Sequence, residues 1–281
     1  AVNKVLCRDL TVAEVTFSEA LVALLLLLPW YLWRTRGTAF PRGTPWGWLL
    51  TFGGTAVILF YARTLGIALT NPTTGSLVVR LEVALVFAYS YCFLREKPSV
   101  WGWVGAALLV AGMLAALDLP TQGLVFRPLG ILALVLCAVG IASNAIIIKL
   151  HLGQVRDDLT ALVNVGCQTV AFGLLLALTG QWGGLGGLLA SGRLLLLVLA
   201  GGGIITWMLT TYYFAMKCIP MWAVRLLGLV TPAAALLADH FWLRSVITSG
   251  QLLGLALVTA GSAVVIIAGV PSLSTNEAVE P

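Results

Sequence analysis

Eight side chains combine a group able to do chemistry with a place inside an apolar run: Glu19, Arg80, Glu82, Asn144, Asn164, Gln168, Trp207 and Tyr213. Carboxylates and a guanidinium within the hydrocarbon region can hold charged groups of a solute, and a carboxyl there can carry a proton. Amides and a phenol offer hydrogen bonds, and Trp207 and Tyr213 offer apolar walls. Each has a plainer alternative. Arg80 can snorkel to the membrane surface, the amides can glue helices together, and the rings can simply pack. Arg80 and Glu82 stand two residues apart in SLVVRLEVALVF. On a continuous helix they point about 160° apart, poorly placed to neutralise one another.

Other chemistries find little support. The five cysteines (Cys7, Cys92, Cys137, Cys167 and Cys218) are scattered through apolar runs, with no CxxC or Cys/His spacing. The two histidines, His151 and His240, form no HExxH pattern. GGLGG at 183–187 and GGG at 201–203 fit no nucleotide-binding loop. Asn71-Pro72-Thr73 fails as a glycosylation site because proline occupies its middle. The sequence therefore calls for no metal, no cofactor and no ATP, and the reading is of a protein that is not an enzyme.

The elements that must position these groups follow from composition. Of 281 residues, 60% are hydrophobic and 10% charged, against about 25% charged in an ordinary soluble domain. A mean hydropathy of +1.01 is more than one soluble core of this size can hide. The expectation is an all-α membrane protein with the lipid bilayer as its solvent. The net charge of +5 forms no cluster with interleaved aromatics, which argues against nucleic acid. Nine stretches are long enough to span: 11–33, 47–69, 75–94, 99–117, 129–150, 158–179, 194–217, 220–243 and 247–270. The stretch 75–94 is marginal by itself. Ten apolar residues at about −0.3 to −0.6 kcal/mol each are nearly cancelled by two central charges at about +2.5 to +3.5.

A shift of 149 residues lays the second half on the first. Asp9-Leu10-Thr11 falls on Asp158-Leu159-Thr160, Leu94-Arg95 on Leu243-Arg244, and Gly105 and Gly112 on Gly254 and Gly261. The span at 129–150 predicts an equivalent helix ahead of Asp9, of which AVNKVLCRDL holds the end and about 20 residues would complete the rest. The expected architecture is a ten-helix bundle of two inverted five-helix repeats, the first helix truncated in this chain. Its parts would be residues 1–118 with an incomplete N-terminal helix, residues 129–270, and a disordered cytoplasmic tail at 271–281. Five spans per repeat force opposite orientations, an arrangement common in secondary transporters. With both termini cytoplasmic, inside loops carry eight Lys/Arg and outside loops four.

Polar residues recur at helical spacing. Thr160, Asn164, Cys167 and Gln168 share one face; Thr206, Thr210, Tyr213 and Lys217 share another, with Trp207 beside them; Cys137, Asn144 and His151 recur at sevens. Arg225 and Asp239, fourteen residues apart, share a face about 21 Å apart along the axis. Arg63 and Glu14 stand near helix ends, where the plainer reading wins. Gly250, Gly254 and Gly261, with Gly105 and Gly112, are small-residue ridges for close helix packing, or alternatively a homodimer face.

FYARTLGIAL followed by LEVALVFAYSYCFLREKPSVWGWVGAALLVAGMLAAL resembles the EamA module of the drug/metabolite transporter superfamily. So does YYFAMKCIPMWAVRLLGLVTPAAALLADHFWL followed by GQLLGLALVTAGSAVVI. Thr231-Pro232 matches the family's Thr-Pro, Glu82 its acidic position, and Leu94-Arg95-Glu96-Lys97 its turn but for Arg95. Glu19 and Gln168 stand where the family often has a basic residue. The resemblance implies a central cavity lined by the first four helices of each repeat, with the fifth and tenth outside.

Together these observations predict a multi-pass plasma-membrane secondary transporter, an exporter of small-molecule substrates such as amino acids. Alternating access would turn on the eight named residues, with protons carried by Glu19 and Glu82. The alternatives are a non-transporting scaffold or helper subunit and, less favoured, an intramembrane enzyme.

Overall fold

The computed structural model describes residues 2–35, 43–70, 72–94, 99–116, 128–218, 230–243 and 248–268. They form helices and no strand. In hydrocarbon each backbone N–H and C=O must find its partner within the chain, which a helix achieves within one segment. In order, the helices are α1 (Val2–Leu6), α2 (Val12–Thr35), α3 (Trp46–Leu69), α4 (Pro72–Val79), α5 (Leu81–Leu94) and α6 (Val100–Ala116). There follow α7 (Pro128–Ile147), running into a π-helical turn at Ile148–Leu152, then α8 (Asp157–Thr179), α9 (Gly183–Ala190), α10 (Gly192–Cys218), α11 (Val230–Leu243) and α12 (Ser249–Ala268).

Five of these are long and apolar enough to cross a membrane: α2, α3, α7 with its π turn, α8, and α10 through Ala215. Their outward faces stay apolar, as at Leu178, which is 86% exposed. A soluble monomer rarely shows so large an apolar surface. All but one of the exposed tryptophans among the described residues gather at helix ends, with Trp33 at the end of α2, Trp46 and Trp48 opening α3, Trp101 and Trp103 opening α6, and Trp182 between α8 and α9; Trp207 lies within α10. That is the placement of an interfacial aromatic belt.

Helix ends are held by local caps and by contacts distant in sequence. Thr11 and Glu14 make a reciprocal capping box at the start of α2: the Thr11 N–H donates to Glu14 Oε2 (2.9 Å), and the Glu14 N–H donates to Thr11 Oγ1 (3.3 Å). The other Glu14 oxygen accepts from the Gly184 N–H of α9 (2.8 Å). Lys4 donates to the carbonyls of Ala68 and Thr70 at the end of α3 (2.7 and 2.6 Å), placing a cation on that helix's negative end. Gly180, at φ +66°, closes α8 in the left-handed conformation that glycine adopts without cost.

Two sequence expectations change. The span expected at 75–94 is two helices, α4 and α5, broken at Arg80. There the Arg80 N–H donates to the Leu77 carbonyl and the Val83 N–H to the Arg80 carbonyl, both three residues back rather than four. The short helix α9, from GGLGGLLA, was not foreseen, being too brief and glycine-rich to carry a periodic signal. Of the span expected at 220–243, residues 219–229, Arg225 among them, lie outside the described residues, as does the tail at 271–281.

The 149-residue shift persists in the elements. It carries α5 onto α11 end for end, the first residue of α6 onto the first of α12, and the last of α3 onto the last of α10. Helices α6 and α12 pack along one another. A Cβ at Gly105 would come within 2.8 Å of the Gly261 carbonyl, one at Gly112 within 2.7 Å of the Val258 nitrogen, and one at Gly261 within 2.7 Å of the Gly105 carbonyl. These glycines thus serve contact within the chain. The core of the long helices joins Leu27 and Tyr31 of α2, Leu49 and Phe52 of α3, Val165 of α8, and Leu209 and Tyr213 of α10.

Candidate functional site: paired polar bridges inside the bundle

Helix α8 carries Asn164 and Gln168 one turn apart on the face turned to α10, and both are buried. Gln168 Nε2 donates to Asn164 Oδ1 (2.5 Å), and Asn164 Nδ2 donates to the Tyr213 hydroxyl (3.1 Å). The Tyr213 ring is buried against Phe52 of α3, edge to face at 6.2 Å between centroids. The chain Gln168–Asn164–Tyr213 thus links the second and third helices of the C-terminal half.

Glu19 lies in the corresponding place of the N-terminal half, since the 149-residue shift carries Glu19 onto Gln168 and Thr64 onto Tyr213. It is 3% exposed. Asn3 Nδ2 of α1 donates to Glu19 Oε2 (3.1 Å) and reaches Thr64 Oγ1 of α3 (3.5 Å). An asparagine amide therefore bridges positions 19 and 64 as it bridges 168 and 213. It comes from a neighbouring helix in one case and from the preceding turn in the other. Glu19 Oε1 has no hydrogen-bond partner among the described residues.

Two further polar contacts join named residues, one between helices and one at the α4–α5 break. The Thr55 hydroxyl of α3 donates to Asn144 Oδ1 of α7. Arg80 Nη1 and Glu82 Oε1 form an ion pair at 3.4 Å, with both side chains nearly buried. This corrects the expectation that the two point apart. That geometry assumed a continuous helix, and the break at Arg80 removes the 100° per residue on which it rested. Arg63, half-buried on α3, lies within electrostatic range of both Glu19 and Cys137, and Glu82 within range of Cys137.

Trp207 stands apart from these groups, 75% exposed on α10. It borders a cleft of about 310 Å³ that Trp30, Arg34, Asp157, Asp158, Thr210 and Phe214 also line. Arg156 grips Asp158 with two nitrogens, Nε at 3.0 Å and Nη2 at 2.5 Å, while Arg34 Nε stands 3.8 Å away. The Asp158 carboxylate also accepts the Leu159 N–H at 2.9 Å, which fixes it at the start of α8.

Of the eight residues singled out from sequence, the structure joins Asn164, Gln168 and Tyr213 in one chain and Arg80 with Glu82 in one pair. Glu19 and Asn144 sit in separate bridges, and Trp207 faces outward. Sequence reasoning passed over Asn3, Thr55 and Thr64 and set Arg63 aside. The signal that could have found Thr64 was the shift itself, because Thr64 falls on Tyr213.

Helices of spanning length with apolar outer faces and polar bridges inside define an all-α, multi-pass integral membrane protein. Residues 1–117 match the model of the EamA-like transporter family, the family that the sequence motifs resemble. A solved crystal structure, described only as that of a protein, is similar with a TM-score of 0.67 and 19% identity, over 95% of this chain and 93% of that one. At that identity the likeness is one of fold alone. No curated protein matches the sequence.

Proposed function

We propose that this chain is a secondary transporter of small metabolites, an exporter of amino acids or related compounds in the plasma membrane. The observation that carries the reading is the paired polar bridge. Two hydrogen-bonded sets, one buried and one built on buried Glu19 and Thr64 with half-buried Asn3, occupy equivalent places in the two halves, beside a match of residues 1–117 to a transporter family. Buried polar groups are costly in hydrocarbon and mark solute or ion paths. In this reading residues 1–118 and 129–270 are two inverted repeats of a ten-helix bundle, with both termini cytoplasmic. One repeat rocks against the other around a site near the midplane.

Glu19, Arg80, Glu82, Asn144, Asn164, Gln168 and Tyr213 are the proposed lining, and Trp207 guards the cleft at one end. The amides and the phenol supply donors and acceptors for a polar solute. The Arg80–Glu82 pair offers complementary charges to a zwitterion, and Glu19 and Glu82 carry the protons. The bilayer is the necessary partner, and a homodimer would show as twice the chain's mass in detergent.

The experiment is a thermal-shift screen of the purified chain against amino acids, nucleosides, sugars and cationic drugs. A ligand that binds the folded state raises Tm by mass action. A hit weakened by Arg80→Met or Glu82→Gln supports the reading. A hit untouched by every change at the named residues contradicts the proposed site. Glu82→Gln should also abolish pH-dependent transport of that hit, and an unchanged pH profile would remove Glu82 from proton carriage.

A further inference from the structure

Second and third helices of opposite halves cross at two points related by the 149-residue shift, which carries Gly53 onto Gly202. At one point α3 meets α8: a Cβ on Gly53 would come within 2.5 Å of Cys167 Sγ and 3.5 Å of the Val163 carbonyl. At the other α10 meets α2: a Cβ on Gly202 would come within 2.6 Å of Val22 Cβ and 2.9 Å of the Glu19 carbonyl. The missing Cβ makes room for the Cys167 side chain at Gly53 and lets the backbones approach closely at Gly202. Gly53 lies in the second turn of α3, and Gly202 near the middle of α10, where it meets the first half of α2. The side chain at the α2–α10 crossing is Glu19, and the residue equivalent to it beside the α3–α8 crossing is Gln168.

That difference has chemical content. Glutamine has the shape and the neutrality of a protonated glutamate, and its amide can donate, as Gln168 does to Asn164. An ionised carboxylate can only accept. Asn3 satisfies Glu19 Oε2, but Oε1 points at the bare backbone of α10, on the spot a Cβ at Gly201 would occupy. A proton on Oε1 removes a buried charge and makes that oxygen a donor facing the neighbouring helix. Without the proton, a negative oxygen lies there with no donor, which disfavours the close approach.

We propose that Glu19 Oε1 is a proton-binding site whose occupancy controls the α2–α10 crossing: protonated, the crossing closes; ionised, it loosens. The α3–α8 crossing, with Gln168 beside it, stays in the neutral form. Charged and titratable groups near Glu19 come from three elements. Helix α1 brings Lys4, bound to the end of α3, and Cys7; α3 brings Arg63; α2 itself brings Glu14, bound to Thr11 and Gly184. Helix α10 brings none between Arg193 and Tyr212. Arg63 tempers the ionised state without supplying Oε1 a hydrogen bond.

This inference deepens the proton role proposed above by saying what the proton does, and its test needs no transported solute. The test is hydrogen–deuterium exchange of the full chain in lipid nanodiscs, followed in peptides spanning residues 196–206 between acidic and alkaline pH. Intrinsic exchange rates are corrected at each pH. The expected result is an added loss of protection, about tenfold, on going to alkaline pH. In Glu19→Gln the same peptides should stay protected at every pH. Gln168→Glu should create a new pH-dependent loss around residues 210–216, because a carboxylate there cannot donate to Asn164. An identical corrected profile in wild type and Glu19→Gln overturns the proposal. So does a pH-independent Gln168→Glu protein, which keeps the test decisive if Glu19→Gln does not fold. If the crossing responds to pH but no solute is bound or moved, the transporter reading fails and this inference stands.

Discussion

The Tyr213 hydroxyl accepts a hydrogen bond from Asn164 Nδ2, and that bond closes a chain on which Gln168 also depends. Tyr213→Phe should lower stability by about 0.5–2 kcal/mol, the range for a hydrogen bond between membrane helices. Thermal unfolding in detergent measures it. Asn164→Leu should cost more, because it also strands the Gln168 amide in an apolar interior. Arg80 and Glu82 invite a double-mutant cycle with Arg80→Met and Glu82→Gln. A pair at 3.4 Å in a nearly buried setting should give a favourable coupling energy, whereas a coupling of zero would mean that each side chain serves a separate partner. The residues themselves were legible in the sequence, because a polar group in an apolar run announces itself. Their pairing was not. Asn3 meets Glu19 only because α1 folds back against α2 and α3, a tertiary fact that spacing along one helix cannot carry.

Helix α6 lies against α12 through Gly105, Gly112 and Gly261, so the cost of a larger side chain there is set by neighbouring backbone rather than by flexible side chains. Gly105→Leu or Gly261→Leu should destabilise the protein by about 1–3 kcal/mol or more, read as a lowered Tm. Gly54→Ala makes the contrast. A Cβ at Gly54 meets nothing within 4 Å, and alanine suits a helix better by about 0.5–1 kcal/mol. That variant should be neutral or slightly stabilised. Most helix ends were legible within a few residues, because apolar runs bounded by Pro, Gly and charged residues mark them. The break at Arg80 was not, since no glycine or proline stands at that position to announce it. What does stand there is a charge whose partner is reached only once the helix stops.

Across the whole molecule, several element ends of the two halves coincide under one shift, and the halves share an asparagine bridge between their second and third helices. They differ where Glu19 replaces an amide. If α8 spans the membrane with its N-terminal end cytoplasmic, as the proposed topology has it, the segments on its two sides face opposite sides of the membrane. Cysteines introduced as Gly153→Cys and Ser191→Cys in a background without the native cysteines should then label from opposite sides, the first only after permeabilisation of intact cells. Labelling of both from outside would reject the topology. The repeat was legible because offsets in a sequence need no structure. The differing use of the two halves was legible only in part, because Glu19 and Gln168 look alike until their partners are known.

The most direct test of the central claim is flux. The chain is reconstituted into liposomes preloaded with a mixture of amino acids, and uptake of the same radiolabelled mixture is followed against liposomes without protein. A transporter working by alternating access should accumulate label by exchange, and variants disrupting the Gln168–Asn164–Tyr213 chain should lose most of that flux while remaining folded. Flux equal to that of protein-free liposomes, repeated with nucleosides, sugars and cationic drugs, would contradict the account and leave the bundle a membrane scaffold.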